Sequence, residues 1–183
     1  EICCEDARPD PGTMGRMGLF SKSRPDAAEV DALATKLGRR PRALAWGSGP
    51  DTYVLGLPEG LGVRRGAEWD VIGWHEIESG GWKADAQELA WRLDDDTEGA
   101  VALDEPGSVP ELFKERVEAS IVIEQYIDVP GGRVVIAGRR DLADPTSAIV
   151  WHAMPVGGAR LDNPAVRQRV LDATARLRAD YEI

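Results

Sequence analysis

The chain has 183 residues, with 32 acidic side chains against 22 basic ones and a net charge of −10. That length favours one domain folding around its own core, with no need of a metal or a disulfide. The acidity argues against nucleic acid and anionic membrane as partners, and no apolar run approaches the roughly 20 residues of a membrane-spanning helix.

The charge is unevenly spread. Residues 67–128 hold 17 acidic and 4 basic side chains, a balance of −13, whereas residues 129–183 hold 6 and 8. Three arginine pairs, Arg39-Arg40, Arg64-Arg65 and Arg139-Arg140, sit in the less acidic flanks. They read as solvated strand ends and surface partners for the acidic middle.

Residues 1–16 are polar and turn-rich, and they read as a doubtful, disordered leader, with Met17 opening a natural-looking start. No apolar signal-peptide core is present there. The N-myristoylation pattern fails because Lys22 stands where Ser or Thr is required. The only cysteines, Cys3 and Cys4, are adjacent. Adjacent thiols close no loop and lack zinc-site spacing, which fits a reducing, cytoplasmic setting.

Residues 17–41 are expected to hold one helix over 25–37, with Gly38 as its stop and Val30, Leu33, Ala34 and Leu37 on one face. A strand meander follows. RALAW, TYVLGL and LGVRR are separated by the turns GSGPD and PEG. Trp69 to Glu78 reads as one long strand. Its odd positions, Trp69 to Ile77, make the better core face, and Asp70, Trp74, Glu76 and Glu78 share the wetter one. SGG at 79–81 reads as a sharp turn, WKAD and QELAWRL as a hairpin, and AVALD as the seventh strand. A helix then starts at Ser108, which forms a capping-box pattern with Glu111. Its end lies somewhere within SIVIEQYIDV. Two or three further strands and a last helix from Asn163-Pro164 to about Asp180 complete the chain.

The run GLGVRR to ELAWRL resembles the central strands of small bacterial domains of the pleckstrin-homology-like class, and IGWHEI at 72–77 is similar to a patch they carry. The whole chain resembles an uncharacterised family of small soluble proteins from high-GC bacteria, in which PELFKERVEASIV and a closing R…YEI recur. The resemblance implies an α+β fold: an antiparallel seven-stranded pleckstrin-homology-like barrel closed by a helix over 42–122. A β-meander and C-terminal helix over 123–183 would pack on it. Barrels of this class bind peptides, lipid headgroups or other domains. The lipid-binding members carry basic residues around the first strand–strand loop. Here that loop, Gly47 to Asp51, has none.

The chemistry of the chain is sparse. His75-Glu76 opens like a zincin motif, but Ser79 stands where a second histidine is needed. His152 is the only other histidine, and both read as packing residues. There is no nucleophile elbow and no phosphate-binding loop. Asp94-Asp95-Asp96 reads as a solvated turn rather than a calcium loop. No catalytic residue, metal site or cofactor is therefore assigned. Trp74 among acidic residues is the candidate anchor for a protein partner or a second copy of the chain, with Glu76 and Glu78 beside it. The expectation is a non-enzymatic interaction domain. The alternative is a small molecule held at the barrel mouth around His75, Trp91 and the Arg64-Arg65 or Arg139-Arg140 pairs.

Overall fold

A computed structural model describes residues 24–181. The leader at 1–16, the start at Met17 and both cysteines lie outside the described residues. Within them the chain is α+β, with three helices and three antiparallel sheets.

Helix α1 (Ala27–Leu37) is capped by the Asp26 carboxylate, which accepts a hydrogen bond from the Ala28 N–H, and it ends at Gly38 in the left-handed conformation. Strands β1 (Ala45–Ser48), β2 (Thr52–Gly56), β3 (Gly60–Arg65) and β4 (Glu68–Gly73) form the first sheet in that order. Tyr53, Leu55, Leu57 and Trp69 face Val30 and Leu33 of α1. Val54, Leu61 and Val63 face the other way, into the main core. Strand alternation thus gives this sheet two buried faces, and both are apolar.

The expected long strand from Trp69 to Glu78 breaks after Gly73. Trp74–Glu76 forms a 3₁₀ turn, and β5 (Ile77–Lys83) begins beyond it. The Glu76 carboxylate closes the turn by accepting from the Gly73 N–H at 2.6 Å. Because the chain turns here, Trp74 points into the interior rather than onto a wet face. It is fully buried, its indole N–H donates to the Leu57 carbonyl at 3.0 Å, and its ring meets Phe113 edge-on at 6.0 Å.

The second sheet is β5-β6-β7, with β6 at Glu88–Leu93 and β7 at Glu98–Ala102. The expected turn at Ser79-Gly80-Gly81 is instead part of β5. A Cβ on Gly80 would lie 2.5 Å from the Ala90 carbonyl oxygen and 2.8 Å from the Trp91 Cα, with the Phe113 ring of α2 (Val109–Ala119) next at 3.0 Å, so glycine here permits close approach to β6 rather than a bend. Ser108 does not cap α2 through its side chain. Its backbone is not in the extended conformation that capping needs.

The four-stranded and three-stranded sheets are not joined into one closed barrel. The backbone bridge between Ser48 of β1 and Glu105, three residues beyond β7, links them. The free edge of β7 is covered by side chains: Thr52 Oγ1 donates to the Ala102 carbonyl and Arg65 Nη2 to that of Ala100. Leu89, Trp91, Val101, Leu103 and Phe113 fill the space between the sheets.

Beyond α2, strands β8 (Ile121–Val129), β9 (Gly132–Arg139) and β10 (Val150–Gly157) form the third sheet, in the order β10-β9-β8. Helix α3 (Pro164–Tyr181) starts behind Asn163, whose side chain accepts from the Ala165 N–H. It buries Val166, Val170, Ala173 and Leu177 against Val134 and Ile136. No helix among the described residues is long and apolar enough to cross a membrane.

Trp74→Ala is expected to destabilise the protein by about 3–5 kcal/mol, since it empties the centre of the core and orphans the Leu57 carbonyl. Urea unfolding followed by Trp fluorescence checks this. A change below about 1 kcal/mol would place the residue outside the core.

Candidate functional site

The anchor expected on the acidic face is not assembled. Trp74 is core, Glu76 is the cap of its own turn, and the Glu78 carboxylate is paired with Arg92 Nε at 2.8 Å. Arg64 and Arg65 are engaged as well. Arg64 Nε meets the Glu29 carboxylate at 2.8 Å, tying β3 to α1. The Arg65 guanidinium lies 5.6 Å above the Trp91 ring.

The mouth around His75 is also occupied. The loop after β9 brings Leu142 against the main core and Asp141 Oδ1 to 3.9 Å from His75 Nδ1. No cluster of histidine, cysteine and carboxylate side chains among the described residues could hold a metal.

What the fold does bring together is the second histidine and one arginine of the expected pairs. Arg139, at the end of β9, is only 3% exposed. Its Nη1 donates to the Val117 carbonyl at 2.9 Å and to Ser120 Oγ at 3.1 Å, while Nη2 donates to the Glu78 carbonyl at 3.3 Å. One guanidinium thus links the third sheet to the end of α2 and to β5. Burial lowers its pKa from the usual arginine range, while Glu78 and Glu124 oppose the shift. His152, buried on β10, shares this junction, and its Nε2 has no hydrogen-bond partner. Burial pushes the imidazole pKa below its ordinary value, and the charge of Arg139 adds to the shift. Asp94, Glu78 and a hydrogen bond to the His75 backbone act in the opposite direction.

The open site lies on the other face of β10. Helix α3 packs on the third sheet, with Trp151 and Ala153 of β10 partly buried at the border of the shared apolar cluster. Between helix and strand runs a groove of about 700 Å³, whose lining includes Trp151, His152, Leu171, Asp172, Thr174 and Arg178. It continues into a neighbouring hollow of about 390 Å³, where Leu161, Asp162 and Arg167 join the lining. Leu171 is 58% exposed. β10 is the last strand of its sheet, so its outer edge pairs with no other described strand. Another trough of about 550 Å³ runs along β5 to β7, but at its rim Lys83 is paired with Glu88 and Arg92 with Glu78.

Sequence reasoning passed over this groove. One signal for it was present. Val166, Val170, Ala173 and Leu177 make one helical stripe, and Leu171 stands roughly 100° away from Val170. That offset leaves Leu171 exposed beside the groove. No family model, curated protein or solved structure matches the chain.

His152 carries a pH dependence. Its folded pKa lies below the unfolded value of about 6.5, so between the two the unfolded chain binds the extra proton. Stability is therefore expected to be full above about pH 6.5 and to fall as the pH drops towards the folded pKa. The slope is at most one proton, about 1.4 kcal/mol per pH unit. His152→Gln is expected to remove that slope in urea midpoints measured across this range. An unchanged slope would exclude the imidazole as its source.

Proposed function

We propose that the protein is a non-enzymatic interaction module that binds a protein segment in the groove between β10 and α3. The observation that carries this reading is the juxtaposition of a strand edge that pairs with no other described strand and an exposed apolar side chain, Leu171, across an open groove. A free edge offers backbone donors and acceptors in register, and a flanking helix offers pockets for side chains. That combination is how extended segments are captured by strand addition.

A pleckstrin-homology-like architecture belongs to the same reading. The order of four strands, three strands and a helix over β1 to α2 supports it, and so does the Ser48–Glu105 bridge between the two sheets. On that view β8 to α3 are an addition to the class, and they carry the groove. The place of action in this proposal is the cytoplasm, as the cysteine usage suggested. The filled core and the Leu142 loop disfavour a small molecule at the mouth around His75. The acidic middle segment disfavours nucleic acid and anionic membranes as partners.

A photo-crosslinking amino acid placed at position 171 of the full chain, in the source cells, tests this. The expected result is a protein adduct of discrete mass at 171 and none at the exposed helix position 118. Absence of an adduct at 171, or equal labelling at both positions, would contradict the reading.

A further inference from the structure

We infer that mild acid releases β8 to α3 from the rest of the fold, with His152 as the trigger. Nothing in this depends on what the groove holds. The apolar cores on the two sides of the junction are separate. The cluster under α3 draws on residues from Ile123 onward. The clusters around α1 and α2 draw on residues up to Val117, with Leu142 added from the loop after β9. Polar contacts run between the two units. Arg139 donates to the Val117 and Glu78 carbonyls and to Ser120 Oγ. The Arg140 N–H donates to the Ser120 carbonyl at 2.9 Å, and the His152 ring is hydrogen-bonded to the His75 backbone.

Both histidines of the chain thus stand at this junction. His152 pairs in register with Ala137, two residues from Arg139 on β9. The imidazole and the guanidinium therefore share one face of the sheet as diagonal neighbours. His152 is 6% exposed and Arg139 3%. Neither His152 Nε2 nor Arg139 Nε has a hydrogen-bond partner among the described residues. A proton on His152 sets a second buried cation beside the first, with an N–H that finds no acceptor. Glu78 on β5, Asp94 beyond β6 and Glu124 on β8 act against that cost, although the Glu78 carboxylate is shared with Arg92. Burial outweighs them. The Arg140 charge bears on Asp144 in the following loop. His75 is set the other way, because its Nδ1 lies 3.9 Å from Asp141 Oδ1 and a proton there meets a carboxylate.

Histidine is the side chain whose ordinary titration falls between about pH 5 and pH 8. Below about pH 6.5, and down to the lower folded pKa of His152, release lets water reach the imidazole and one proton is taken up. Docking therefore weakens by up to about tenfold per pH unit as the pH falls. The effect is local, because the disturbed contact lies between the apolar clusters rather than inside any of them. A unit of about 60 residues is marginal by itself, so the third sheet loosens once it is released. The earlier strands keep the core that holds Trp74 and Phe113.

NMR of the full chain, read residue by residue between about pH 7.5 and about pH 5.5, tests the proposal. Amide protection is taken relative to the free-chain exchange rate at each pH. It is expected to fall by up to about tenfold per pH unit in β8, β9 and β10 and to stay level in β2, β3 and β6. The fall should follow the titration of the His152 imidazole, seen in the same samples. His152→Gln is expected to abolish it, and His75→Gln to leave it in place. No fall, an equal fall in all three sheets, or a fall that follows the His75 imidazole would overturn the proposal. So would a fall that persists in folded His152→Gln. Should that variant not fold, the match or mismatch between protection and the His152 titration in the parent chain decides.

Discussion

Arg139 is the constraint on which the arrangement of the molecule depends. A guanidinium is costly to bury, and hydrogen bonds to its donors offset that cost. Here Nη1 and Nη2 donate to acceptors from two other elements, the C-terminal turn of α2 and the start of β5, while the buried Nε has no partner among the described residues. The same side chain belongs to β9, the central strand of the third sheet. The third sheet therefore docks on the earlier strands through a polar contact with directional requirements, and that contact sets its position more narrowly than apolar packing alone.

The consequences run outward from that contact. β10 pairs with β9 along eight residues, from Val150 to Gly157. Docking through Arg139 turns one face of β10, with His152, toward the junction. It turns the other, with Trp151 and Ala153, toward α3. Helix α3 gains its apolar cover from side chains of all three strands, and Leu171 lies off that buried stripe.

Local signals in the sequence made much of the fold legible. Alternation in QELAWRL marked β6, Asn163-Pro164 marked the start of α3, and Gly38 marked the end of α1. The elements that were misread depend on residues far away in the chain. The break at Trp74 is stabilised by Leu57, and Gly80 answers to the close backbone of Ala90 and Trp91 on β6. Alternation by itself carried the strand through Trp74 and put that residue on the wet face. It gave no sign that α1 would cover one face of the sheet and α2 the other. The site was less legible still. His75 and His152 were both noticed as packing residues, but their approach across the junction depends on how β10 docks. Leu171 was visible only as an apolar residue out of phase with its helix.

The most direct measurement is hydrogen–deuterium exchange, resolved by residue, on Arg139→Met against the parent chain. Methionine keeps most of the volume and removes every donor. The account predicts that protection falls in β8, β9 and β10 and in the last turn of α2, while β2, β3 and β6 keep theirs. Protection unchanged in the third sheet, or lost evenly across all three sheets, would contradict it.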